Sequence, residues 1–77
     1  MADRVLDLIA TVLDVPIEEL TEKASSENVK GWDSAAQLNL GLAIEETFGI
    51  ELAPDELTNL VSVADIRAIL SGHAISK

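Results

Sequence analysis

Apolar residues recur at helical spacing in three stretches of this chain, and that recurrence limits the fold more than any other feature. Val5, Leu8, Ile9, Val12 and Leu13 stand at i, i+3, i+4, i+7 and i+8, one stripe of a helix. Asp3 and Asp7 sit early in it, where the helix dipole favours negative charge, and Pro16 closes it at about Asp14. A second helix is predicted from about Ser34 to Phe48, with Gly49 just past its end. A last helix takes Val63, Ile66, Ile69 and Leu70 as its buried stripe. Ser62 and Asp65 suit its cap and third positions, and Gly72 ends it. Pro54-Asp55-Glu56-Leu57 reads as a brief additional helix with proline early, after an extended link at Ile50–Ala53. The expected architecture is all-α: a small bundle of three main helices plus one short one, with a long loop between helices one and two. That loop, from Val15 to Asp33, holds a single turn at Pro16–Leu20 and a turn at Lys30-Gly31. Ile17, Leu20 and Val29 are expected to pin it to the core. Loops of this length in so small a domain are often functional.

Seventy-seven residues make one domain, 1–77, near the lower limit for a single hydrophobic core. There is little room for an enclosed active site. The core must be aliphatic, because Trp32 and Phe48 are the only aromatic residues. No cysteine is present, which removes disulfides, thiolate metal sites and a cysteine nucleophile. Fourteen acidic residues against five basic ones leave a net charge of −9. Such a surface repels nucleic acid and anionic membranes and attracts basic protein surfaces. The N-terminus lacks the pattern of a secretory signal, and no stretch has membrane-spanning length. The expectation is a cytoplasmic monomer that binds neither nucleic acid nor membrane.

Projected at 100° per residue, the second helix has two apolar faces. Ala36, Leu40, Ala43, Ile44 and Phe48 form a core stripe. Ala35, Leu38 and Leu42 gather opposite, flanked by Asn39, Glu45 and Glu46. Folding needs only one stripe. The second means either a helix buried all round or a docking strip for a partner with an apolar groove rimmed by Lys and Arg.

Ser34 stands at the N-terminal end of that strip. Ser34-Ala35-Ala36-Gln37 matches the S-x-x-Q capping box, so one reading of Ser34 is an N-cap worth about 1 kcal/mol. Catalysis by it is disfavoured, since the single histidine, His73, lies near a C-terminus expected to fray. The other reading is a modified serine. A helix start offers unpaired N–H groups and a positive dipole end to an attached phosphate.

Gly31-Trp32-Asp33-Ser34, then Leu38-Asn39-Leu40 and Ile44-Glu45-Glu46-Thr47-Phe48-Gly49-Ile50, resemble the signature of acyl carrier proteins. Val63-Ala64-Asp65-Ile66 resembles the start of that family's last helix. The resemblance implies that a phosphopantetheinyl transferase attaches 4′-phosphopantetheine from coenzyme A to Ser34. The arm then carries acyl groups as thioesters in fatty-acid-like or specialised lipid or polyketide synthesis. The carrier itself is not a catalyst. It further implies that Asp33 assists the transferase, and that Ala35, Leu38, Leu42, Glu45 and Glu46 belong to the face read by acyl-loading and acyl-processing enzymes with basic docking patches. The aliphatic core is implied to open around part of the acyl chain. One departure stands out: the family pattern is Asp-Ser-Leu, and Ala35 replaces that leucine. The lost burial is worth roughly 2–3 kcal/mol if a partner covers the site fully. Trp32 is expected to anchor the preceding loop.

Two other readings stay open. A peptidyl or aminoacyl carrier shares the fold, but such domains tend towards Gly-Gly-(Asp or His)-Ser and are less acidic. An acidic helical interaction module without a prosthetic group is the third. No calcium-loop spacing or other metal site is present.

Overall fold

The computed structural model describes residues 3–73, and its first helix starts from an acid that caps. Oδ1 of Asp3 accepts the N–H groups of Val5 (3.0 Å) and Leu6 (3.2 Å), starting helix α1 at Arg4–Leu13. Asp14 ends it in the left-handed conformation (φ 57°) and returns its N–H to Ala10. Proline only keeps the helix from resuming. Val5 and Ile9 are buried as the periodicity predicts, together with Ala10, while Leu8, Val12 and Leu13 are half-buried.

The loop 15–33 is held more firmly than its sequence suggests. A 3₁₀ turn occupies Ile17–Glu19. Ile17, expected to pin the loop inward, is exposed instead, because that tight turn aims its side chain outward. Leu20, Ala24 and Trp32 carry the burial, with Val29 packed half-buried against them. The loop also knits to itself and to the far end of the chain. Asn28 accepts from the Ser25 N–H and donates to the Lys23 carbonyl, both at 2.9 Å. Ser26 N–H reaches Val61 O (2.8 Å) and Val63 N–H reaches Ala24 O (3.0 Å), bridging Ser25 and Ser62. These ladder-like bonds satisfy backbone groups that a buried loop must not leave unpaired.

Helix α2 spans Ser34–Phe48, and Gly49 follows it in the left-handed conformation (φ 65°), donating to Glu45 O. Helix α3 is the short element Pro54–Leu57 with proline at its first position. Helix α4 spans Val63–Gly72; Ser62 caps it by accepting the Asp65 N–H at 3.0 Å. Its predicted stripe of Val63, Ile66, Ile69 and Leu70 is buried throughout. Leu40, Ile44 and Leu60 complete the centre of the core with Val5 and Ile9. Ala43 and Phe48, placed in the core stripe by periodicity, are only half-buried; the Arg4 guanidinium covers the Phe48 ring, 4.7 Å from its centroid.

Gly41 is buried at the middle of α2, where glycine costs about 1 kcal/mol relative to alanine. The reason is packing: a Cβ there would lie 2.5 Å from Cδ2 of Leu57. Absence of a side chain lets α3 settle against the α2 backbone.

Two polar clusters tie the ends together. Arg67 of α4 meets Asp3 and Glu22, each at 2.6 Å, joining the start of α1 and the loop to the last helix. The guanidinium hydrogen bond holds the Asp3 carboxyl below the usual carboxylate range. His73 places Nε2 at 3.0 and 3.1 Å from the two oxygens of Glu56, while the terminus beyond it, expected to fray, lies outside the described residues. Glu56 also accepts the Ala53 N–H at 2.9 Å, and that bond, more than His73, lowers its pKa. No helix among the described residues is long and apolar enough to cross a membrane, and they contain no cluster able to hold a metal ion.

Candidate functional site

Asp33, and not Ser34, caps α2. The Asp33 carboxylate accepts the Ala36 N–H at 2.9 Å, and its carbonyl accepts from Gln37 N–H at 2.8 Å. The S-x-x-Q capping box is not formed. Gln37 sends its side chain elsewhere, donating from Nε2 to Leu57 O at 2.9 Å. Asp and Ser are about equally good caps, so local spacing could not separate Asp33-Ser34-Ala35-Ala36 from Ser34-Ala35-Ala36-Gln37. The consequence is chemical. Ser34 becomes the first residue of the helix, exposed, with a hydroxyl that makes no hydrogen bond to any described residue.

The backbone around it carries unpaired N–H groups. Of the four N–H groups that a helix start leaves unpaired, that of Ala36 is taken up by the Asp33 carboxylate, while Gln37 N–H already makes the first regular helical bond. Those of Ser34 and Ala35 have no partner among the described residues, and they stand at the positive end of the helix dipole. A phosphate esterified to Ser34 fits this arrangement, since Ser34 and its small neighbour Ala35 are both exposed.

Trp32 holds the junction from the loop side. It is 4% exposed, and its indole Nε1 donates to Leu60 O at 3.1 Å. The anchoring role expected of it is the one observed.

The second apolar face of α2 is turned to solvent. Leu38 is 62% exposed and Leu42 59%, so the alternative of a helix buried all round is excluded. Ser34, Leu38 and Leu42 follow at i, i+4 and i+8, a row about 12 Å long on one side of the helix. Ala35 is exposed beside them. Glu46 is exposed at the edge of this row. Glu45 is half-buried and partly spoken for, since Oε2 accepts the Leu52 N–H at 2.8 Å. The structure thus gathers Asp33, Ser34, Ala35, Leu38, Leu42 and Glu46 on one open surface, with Glu45 pinned at its margin. Sequence reasoning missed Gln37 as a tie to α3, for which the chain offers no local signal.

Two surface hollows lie away from this row. One of about 350 Å³ opens between α1 and α2 against Arg4, Leu8, Val12, Ala43 and Thr47. Another of about 230 Å³ lies under the loop at Val15, Leu20 and Val29. Neither is lined by Ser34 or the exposed leucines.

The family model described as a phosphopantetheine attachment site matches residues 3–70. An acyl carrier protein of Streptomyces coelicolor is 36% identical over 72 residues, covering 92% of this chain and 78% of the relative.

Proposed function

The chain belongs to the acyl-carrier family of phosphopantetheine-bearing proteins, and from that premise we propose that Ser34 is its attachment residue and acyl groups its cargo. The prosthetic group of the family is covalently bound 4′-phosphopantetheine. When attached, it supplies a thiol that holds cargo as a thioester. The observation that carries the assignment of Ser34 is its exposed, unengaged hydroxyl at the first position of α2, freed by the Asp33 cap.

Each neighbouring residue has a part in this reading. Asp33 sets the helix start and leaves the hydroxyl to a phosphopantetheinyl transferase, which must supply the base that takes its proton. The N–H groups of Ser34 and Ala35 stabilise the phosphate once it is in place. Leu38 and Leu42 give partner enzymes an apolar contact, and Glu46, with half-buried Glu45, sets the charge those enzymes must match. Ala35 shortens the apolar contact nearest the serine, which favours a partner specialised for it in lipid or polyketide synthesis. In this reading the protein is a cytoplasmic carrier and does no catalysis of its own.

Intact-protein mass spectrometry after incubation with a transferase and coenzyme A tests this directly. One phosphopantetheine is expected on the wild type and none on Ser34→Ala. An unchanged wild-type mass would favour the interaction module without a prosthetic group.

A further inference from the structure

Ser34 is flanked by two side chains that reach the same stretch of chain. Two residues before it, Trp32 donates its indole N–H to Leu60 O at 3.1 Å. Three residues after it, Gln37 donates Nε2 to Leu57 O at 2.9 Å. Both acceptors lie at the end of α3 and in the turn that follows, where carbonyls have no onward helical partner. Segment 57–60 rests in turn on the middle of α2: Leu57 sits against Gly41, and Leu60 is fully buried.

Beyond these ties, helix α3 is held by the Glu56–His73 contact with the end of α4 and by half-buried Leu57. None of its four residues is fully buried. Elements with few buried contacts open at lower free energy than the core helices around them. The serine junction is therefore fastened, on both sides, to the segment closing the least buried helix of the molecule.

We propose that Trp32 and Gln37 are positioning residues that make the seating of α3 on Gly41 and the presentation of the Ser34 hydroxyl a single coupled unit. Lifting Leu57 from Gly41 withdraws the acceptor of Gln37 and loosens the first turn of α2. By linkage, a partner that grips the junction firms α3 to the same degree. The part of this that concerns modification rests on the function proposed above; the coupling itself does not.

Hydrogen exchange on the unmodified protein, read residue by residue by NMR, tests the coupling. Gln37→Met removes the donor at similar volume. Exchange at Thr58 and Asn59 should rise roughly tenfold, the usual upper worth of one hydrogen bond. The Trp32 indole N–H, which the substitution does not touch, should also exchange faster. Leu57→Ala probes the unit from its other end and should speed exchange at Ala36 and Gln37. Combining Trp32→Phe with Gln37→Met should give less than the sum of the single effects, because both release one opening event. Additive effects, or changes confined to the substituted residue's neighbours in sequence, would overturn the proposal.

A steady-state assay with the transferase separates positioning from docking. Gln37→Met should lower kcat roughly threefold to tenfold at unchanged KM, whereas Leu42→Asp should raise KM. A raised KM with unchanged kcat for Gln37→Met would overturn the positioning role. If the wild type accepts no phosphopantetheine, the attachment reading fails, and the exchange measurements alone uphold or overturn the coupling.

Discussion

The carboxylate of Asp33 accepts the backbone N–H of Ala36 at 2.9 Å, which relieves Ser34 of capping duty. The two residues divide between them what a single N-cap serine would have to combine. Asp33→Ala should therefore cost about 1 kcal/mol in urea unfolding, and Asp33→Asn only a fraction of that, because asparagine caps as well as aspartate. Ser34→Ala should be neutral or slightly stabilising, as alanine is the better helix former. A loss of about 1 kcal/mol for Ser34→Ala, with none for Asp33→Ala, would show that the serine caps after all.

The two faces of α2 should respond oppositely to substitution. Leu40 is completely buried, so Leu40→Ala should destabilise by about 2–5 kcal/mol. Leu42→Asp removes a side chain that is 59% exposed and should cost under about 1 kcal/mol, mostly through helix propensity. Turnover of the carrier by partner enzymes should nevertheless fall in Leu42→Asp. Thermal melts of both variants check the contrast; equal losses would mean that Leu42 belongs to the core.

Trp32→Phe retains most of the buried ring and removes the donor to Leu60 O. A buried carbonyl left unpaired costs roughly 1–3 kcal/mol. Trp32→Ala adds a cavity and should cost about 3–5 kcal/mol. Denaturant titration of the two variants orders these losses, and a Trp32→Phe protein as stable as the wild type would show that the indole N–H contributes nothing.

Acid should weaken the staple at Arg67. The folded protein holds the Asp3 carboxyl below its ordinary pKa, chiefly through the Arg67 hydrogen bond, so the unfolded chain binds that proton more tightly. The stabilisation is complete above about pH 4 and is lost as pH falls through the lower folded value. Both partners are partly exposed, with side-chain exposures of 20% for Arg67 and 35% for Asp3, so solvent screening limits the pair to the order of 1 kcal/mol. Arg67→Met should be less stable than the wild type at pH 7 and converge with it in strong acid. A deficit independent of pH would assign the loss to packing alone.

The helices and the second apolar row of α2 were legible because each depends on residues near one another in the chain. Periodicity places Val63, Ile66, Ile69 and Leu70 on one side of a helix, and Ser62, Pro54 and Gly49 mark ends through local backbone preference. The two apolar faces of α2 follow from the same projection. Which face meets the core does not, because burial depends on what else the chain brings alongside. Ile17, Leu20 and Ala24 differ in fate for that reason: a 3₁₀ turn and packing against distant helices select among them, and hydrophobicity alone would rank them wrongly.

What the chain's order of residues determined by itself is therefore a four-helix bundle whose second helix carries two apolar rows, one of them beginning at Ser34. Tertiary structure decided that Asp33 would cap, that Gln37 and Trp32 would fasten the junction to Leu57 and Leu60, and that Gly41 would receive Leu57. The cap was a choice between two local patterns of equal merit, whereas the ties of Gln37, Trp32 and Gly41 depend on hydrogen bonds and van der Waals contacts between segments far apart in sequence. Such contacts exist only after the chain has closed on itself, so no local pattern announces them.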